Sequence, residues 1–244
     1  MRHLVLTRSA YPASYPIEAN RRRLELFRRV TVPSLASQTE RDWAWLLMVD
    51  GNDPLLSGRM LAAENAGVPV FPVTVGQSAW VPPAPTTPDG RLAGDLGGPW
   101  HRAVAAASVG AERIVTTRID DDDALAVDAL ARIRRAVGRS DPGLAAWMLP
   151  RGYRFHHNHV TPMRHLANMF VSLESLPDPL HVVMDVKHNE IGTLGPVRMI
   201  DEQPAWLWVR HADTRSDRRE GRFTITSTIR RAYQVDWAFL GSLR

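Results

Sequence analysis

Four aspartates, Asp120, Asp121, Asp122 and Asp123, stand side by side directly after the apolar, β-branched run at residues 113–119. Adjacent carboxylates repel one another, and each costs free energy to take out of water. A solvated acidic turn tolerates such a run. At the end of a buried strand it needs compensation, and the carboxyl ends of strands are where open α/β sheets bind ligands. A divalent cation supplies that compensation. Mn2+ or Mg2+ suits these residues, because such ions take carboxylate oxygens and complete their coordination with water or phosphate oxygens. The chain has no cysteine, so any metal must sit on Asp, Glu, His or backbone oxygen. Asp123 is also placed to cap the helix that should follow.

Further polar residues group around this run. His101 and Arg102 open the helix preceding the aspartate strand, and a helix N-terminus with an arginine suits a diphosphate. The glycines of residues 94–99 just before them permit close approach of backbone amides to phosphate, or serve as turn residues. His156, His157 and His159 invite a zinc reading, which strand geometry opposes: adjacent side chains point to opposite faces, so only His157 and His159 share a side. Asp185 and Glu190, in the densest polar stretch of the second half, are candidates for a catalytic base, with Asp201 and Glu202 behind them. The helix bearing Arg21, Arg22, Arg23, Arg28 and Arg29 reads as a solvated face.

The elements that position these groups alternate over the first half. Apolar runs at residues 4–6, 43–49, 68–73 and 113–119 read as strands, the third an edge because of its prolines. Between them fall helices: one from an Asn20 cap to Val30, a short one with Pro33 in its first turn, one over residues 57–66 closed by Gly67, and one over residues 100–109. Another helix spans residues 126–137. This order predicts an α/β fold, a mostly parallel Rossmann-like sheet flanked by helices, in one compact domain over residues 1–244. Residues 144–149 and 205–209 read as strands of the second half, and residues 153–155 with 160–163 as a hairpin. Residues 76–99, rich in proline and glycine, form a long loop that should close over a ligand, and Trp80 and Trp100 flank it.

The 244 residues carry 30 Lys plus Arg against 26 Asp plus Glu, a net charge of +4, and Lys187 is the only lysine. Arginine richness follows either from codon usage or from an anionic partner. No stretch reaches the ~20 apolar residues of a membrane span. The N-terminal apolar run is too short for a signal peptide, and a cytoplasmic protein is expected.

The chain resembles the "putative rhamnosyltransferase" family of GT-A glycosyltransferases. Asp120-Asp121-Asp122 fits that fold's Asp-x-Asp motif, and residues 117–125 resemble its surroundings in this family. So do residues 23–27 followed by 31–35, Gln38-Thr39 and Trp45-Leu46, and Pro204-Ala205-Trp206-Leu207-Trp208-Val209-Arg210-His211. The resemblance implies sugar transfer from a nucleotide-diphosphate donor to a carbohydrate or small-molecule acceptor. Residues 1–125 would bind donor and metal, and residues 126–244 the acceptor. Asp120 and Asp122 would hold metal and donor ribose, with Asp121 beside them, and His211 would be a late metal ligand or a hydrogen-bonded histidine at a strand end. Thr7 and Arg8 would cradle the nucleotide, and Asp50 would meet its base or ribose, or start an Asp-Gly turn. Trp80 and Trp100 would be placed to stack on a sugar.

Two rival readings use the same features. A nucleotidyltransferase would direct the carboxylates to an α-phosphate, but Thr7-Arg8-Ser9-Ala10 lacks its glycine-rich signature. A nucleic-acid-binding module would use the arginine helix, and the aspartate run would repel its ligand. No nucleic-acid partner is therefore expected.

Overall fold

The computed structural model describes residues 1–11, 14–75, 97–156, 158–211 and 223–243. Most of the expected closing loop (residues 76–96, with Trp80), the charged segment 212–222 and His157 lie outside the described residues.

A seven-stranded sheet runs in the order β10-β6-β9-β4-β1-β2-β3. Its parallel part is β1 (Arg2–Arg8), β2 (Ala44–Asp50), β3 (Val70–Val75) and β4 (Ile114–Arg118), with β3 on the edge as its prolines predicted. β9 (Val171–Ser175) pairs antiparallel with both β4 and β6 (Ala145–Met148), and β10 (Val197–Met199) adds parallel to β6. The expected mostly parallel sheet is therefore observed, interrupted by one reversed strand.

Both faces of this sheet are covered, which is why its central strands are apolar without alternation. Val5, Trp45, Leu47 and Val49 pack against α2 (Val32–Ala36), α3 (Leu56–Glu64) and α5 (Ala129–Gly138) on one side. Leu4, Leu6, Leu46 and Met48 pack on the other against Trp100 and Val104 of α4 (Gly97–Ala107) and against Val182, Val183 and Val186.

The first helix departs from expectation. α1 (Ile17–Leu26) begins after Pro16, a turn ahead of Asn20, and continues through a π turn (Phe27–Thr31) into α2. Asn20 is buried inside the helix, where its amide donates to Asp53 at 2.7 Å; a tertiary partner outcompeted the cap. Asp123 does not cap α5 either, whose N-cap position is Asp128.

A second sheet, β5-β11-β7-β8, stands at the carboxyl end of the first. β7 (Arg151–His156) and β8 (His159–Arg164) form the expected hairpin, with Asn158 at φ 63° in its turn. β11 (Trp206–Val209) lies between β7 and β5 (Ala124–Leu125), the two-residue strand immediately after the aspartates. A Cβ on Gly152 would fall 2.0 Å from the Trp206 ring, so only glycine lets β7 pass. Trp206 in turn stacks on Phe170 at 4.9 Å. The short helices α6 (Ser227–Ala232) and α7 (Trp237–Ser242) close the outer face of this sheet with Ile229, Tyr233 and Leu240. No helix among the described residues is long and apolar enough to cross a membrane.

His3, fully buried on β1, shares a hydrogen bond with Thr117 at 2.8 Å, and its Nδ1 has no partner. Burial, helped by Arg134, pushes its pKa from 6.5 down to about 3. The native imidazole therefore stays neutral where the unfolded chain takes up a proton, so stability falls as pH drops from 6.5 toward 3. In urea unfolding, the stability of the wild type relative to His3→Gln should fall by about 2 kcal/mol between pH 7 and pH 5. A pH-independent gap would show that His3 titrates alike in both states.

Candidate active site at the carboxyl end of the sheet

The four aspartates divide into separate environments. Asp120, leaving β4 first, is partly exposed and pairs with Arg118 at 3.1 Å. Burial acts to raise its pKa, but Arg118 and then Arg8 outweigh it, and the carboxyl stays below its ordinary range. Asp121 turns inward. It accepts hydrogen bonds from Ser9 at 2.6 Å and from Tyr11 at 2.9 Å, with the buried Arg59 guanidinium 3.7 Å away. Arg59 is itself fixed by Asp53 at 2.8 Å and by the Asn20 carbonyl. Burial still raises the Asp121 pKa, against Arg23.

Asp122 meets His211 from the end of β11, with Nε2 2.9 Å from Oδ2. The same Oδ2 accepts a short hydrogen bond from Arg23 Nη1. Asp123 accepts from the Val209 amide at 2.9 Å, tying the aspartate turn to the strand that delivers His211. Its other oxygen is buried without a partner, and burial with the neighbouring Asp122 and Asp120 charges lifts its pKa well above the usual range. Asp123 is thus a structural carboxyl.

Asp120 faces a cleft of about 260 Å³. Arg8 from the end of β1, Met48 from β2, Arg118 from β4 and Trp100 from α4 wall one side; Lys187, His188 and Asn189 form the other. Three cationic side chains thus stand around one carboxylate, a wall complementary to an anion. Burial first, then Arg118, lowers the His188 pKa, which favours the neutral imidazole.

Of the residues singled out by sequence, Arg8, Trp100 and Asp120 share this cleft; Asp122, two residues on from Asp120, meets His211, which lines a separate hollow with Glu18, Arg22 and Leu26 of α1. Others are placed elsewhere. Thr7 is fully buried and accepts from Trp45 Nε1 at 3.0 Å, because alternation along β1 turns it into the core. Asp50 is buried and accepts from the Asn52 amide at 2.8 Å, which makes it the start of the Asp-Gly turn. Asp121 is the hub of the inner network and does not face the cleft. α4 begins at Gly97, so His101 and Arg102 lie a turn inside it; Arg102 is exposed and His101 pairs with Asp185 at 2.9 Å. Gly97, Gly98 and Pro99, expected as loop, belong to that helix. Asp185 also accepts from the Val182 amide at 3.0 Å, and Glu190 sits 4.0 Å from Lys187; neither lines the cleft.

Sequence reasoning missed Arg23, Tyr11, Ser9, Arg59, Lys187 and His188. Lys187, the only lysine among 30 basic residues, carried a signal that composition could have flagged. Arg23 was hidden among its neighbours on α1. The other arginines of that helix are outward: Arg21 pairs with Glu18, and Arg28 and Arg29 with Glu25.

Among the described residues no group of three or more His, Asp or Glu converges as a metal cage. The Asp122–His211 pair nevertheless has donor chemistry that fits a divalent ion, one carboxylate oxygen meeting one imidazole nitrogen. Magnesium-type ions commonly bind through one or two carboxylates and complete their coordination with substrate phosphate and water.

Residues 100–223, a little over half of the chain, match the family described as "Putative rhamnosyl transferase". The chain belongs to this family. The matched segment carries the four aspartates, the Lys187–His188 wall and His211, whereas Arg8 and Arg23 of this glycosyltransferase-family protein come from outside it. S. aureus TarS 1–349 in complex with UDP-GlcNAc is similar, with a TM-score of 0.50 and 11% identity over 88% of this chain and 60% of that one. A second structure of S. aureus TarS 1–349 gives a TM-score of 0.50 at 8% identity, over 86% of this chain and 60% of that one. At these identities the likeness is one of fold, and that fold is GT-A-like. The chain spans about 60% of the length of these two TarS structures. No curated protein matches it.

The inner network should hold the site in shape. Tyr11→Phe removes the hydroxyl that donates to Asp121 and accepts from Arg23 Nε at 2.8 Å. It should cost about 1–3 kcal/mol in urea unfolding, because a buried carboxylate and guanidinium each lose a partner. A loss below about 0.5 kcal/mol would mean that the hydroxyl is dispensable to both.

Proposed function

We propose that this protein is a metal-dependent glycosyltransferase, moving a hexosyl or deoxyhexosyl group from a nucleotide-diphosphate donor to a hydroxyl of a carbohydrate or small-molecule acceptor in the cytoplasm. The observation that carries the reading is the juxtaposition at one sheet edge of an anion-complementary cleft with the Asp122–His211 pair. Arg8, Arg118 and Lys187 would hold the donor diphosphate, and Asp120 would accept a hydrogen bond from a donor hydroxyl. Trp100, nearly buried, lines the cleft where the sugar or base would rest. Asp122 and His211 would hold Mn2+ or Mg2+, which when bound supplies positive charge against the leaving diphosphate.

An acceptor hydroxyl must lose its proton as it attacks. Asp185 and Glu190 have the right chemistry but stand outside the cleft wall. His188 stands in it, neutral, with an imidazole nitrogen able to take that proton, and is the better-placed base. The arginine helix favours no nucleic-acid partner, because Arg21, Arg28 and Arg29 on its outer face pair with Glu18 and Glu25.

Thermal-shift and calorimetric titration of nucleoside diphosphates, with and without Mn2+, tests the binding part. Lys187→Gln should weaken nucleoside diphosphate binding about tenfold in both conditions, through loss of one charge-assisted contact. Asp122→Ala should remove the Mn2+-dependent increment and keep the fold. His211→Ala should do the same to a lesser degree, since a neutral ligand contributes less charge. Unchanged Mn2+ dependence in both variants would take these residues out of the metal site; no nucleotide binding under any condition would sink the transferase reading.

The base assignment has its own test. With a donor identified by that screen, His188→Asn should lower kcat by roughly 10²–10⁴ and leave the donor KM nearly unchanged. A change confined to KM would make His188 a donor contact.

A further inference from the structure

Arg23 holds a position that a solvated helix face does not explain. Its Nη1 donates a short hydrogen bond to Asp122 Oδ2 and lies 3.2 Å from His211 Nε2, the two atoms that would ligate a divalent ion. Its Nη2 lies 3.4 Å from Asp121 Oδ1 and its Nε donates to Tyr11 at 2.8 Å. The guanidinium therefore occupies the mouth of the Asp122–His211 pair. A divalent ion and a guanidinium cannot both sit on one carboxylate oxygen at contact distance, since like charges there repel strongly and the positions overlap.

The surroundings divide the anions unequally. Besides Arg23, Asp121 has Ser9, Tyr11 and Arg59 as partners. Asp122 meets both Arg23 and His211 through one oxygen, Oδ2. The Arg23 side chain is 20% exposed, whereas Arg59 is fully enclosed, so Arg23 is the cation with a way out.

We infer that Arg23 is the resident counter-cation of the Asp122–His211 pair and that a divalent ion binds by displacing its guanidinium from Asp122. The inference rests on the proposed metal site. It makes this arginine a competitor that sets metal affinity, distinct from the arginines of the cleft wall. Without metal, Arg23 is the charge partner of Asp122; with metal, the ion takes over that place.

The test is calorimetric titration of MnCl2 into the full chain, wild type against Arg23→Gln, with thermal melts of both. Arg23→Gln should bind Mn2+ about tenfold more tightly, as one charge-assisted contact no longer has to be broken. The metal-free variant should melt lower than wild type, with the gap narrowing at saturating Mn2+. A folded variant that binds Mn2+ with equal or lower affinity overturns the inference while leaving the metal site standing. Should Arg23→Gln fail to fold, Arg23→Lys serves: its single ammonium cannot span Asp121, Asp122 and Tyr11 together, so tighter Mn2+ binding is again expected and unchanged affinity overturns it. If no form binds Mn2+ even with UDP present, the metal reading and the exchange both fall. UDP binding by the wild type in that experiment then shows separately whether the donor site survives.

Discussion

Four consecutive carboxylates at the end of a buried strand are the constraint around which this molecule is built. Left alone they would repel and demand water. Each is dealt with differently: Asp120 by exposure and Arg118, Asp121 by a buried network ending in Arg59, Asp122 by Arg23 and His211, and Asp123 by a backbone amide and a raised pKa. The partners come from β4, the segment after β1, α1, α3, and β11 with the residues that follow it, so satisfying the aspartates fixes the relative placement of both sheets. An inner ion pair such as Arg59–Asp53, both fully buried, adds little net stability by itself but is costly to break on one side only. That asymmetry makes the network a device for specificity of arrangement.

The same division assigns labour at the site. Carboxylates that face inward hold the turn, and those that face outward are left to meet a ligand. β5, two residues long, pairs with β11 directly after the turn, so the strand carrying His211 is registered against the aspartates by backbone hydrogen bonds. The reversed strand β9 lets the chain return beside β4 and bring the Lys187–His188 segment to the edge where Arg8 and Arg118 emerge. A cationic cleft and an oxygen–nitrogen ligand pair thereby share one edge, an arrangement suited to an anionic ligand carrying a divalent ion.

Apolar runs with glycine and proline signals located β1 to β4, the existence though not the starts of the helices between them, and the β7–β8 hairpin, because doubly covered parallel strands need unbroken apolar runs. These signals failed at β9, whose Val171 and Leu173 alternate with buried Ser172 and Glu174. A central strand with polar groups inside looks like a half-exposed one until its partners, such as Arg113 and Trp147 for Glu174, are known. Asn20 and Asp123 misled for a related reason. Both are cap-forming residue types, and both were drawn instead into long-range hydrogen bonds that local propensity cannot see.

At the site, residue types and order along the chain determined a great deal: an acidic run at a strand end, a strand delivering His211, and the family to which the chain belongs. Tertiary structure alone decided which carboxylate does what. The four aspartates are chemically identical and adjacent, and their roles differ only through the direction each side chain takes and the cation it meets. Thr7 and Arg8 are likewise neighbours, and the two-residue alternation of β1 sends one into the core and the other to the cleft. Arg23 is indistinguishable in sequence from Arg21 and Arg22; the 3.6-residue turn of α1 and the approach of β4 select it, because charge compensation acts through space over a few ångströms and sequence distance does not enter.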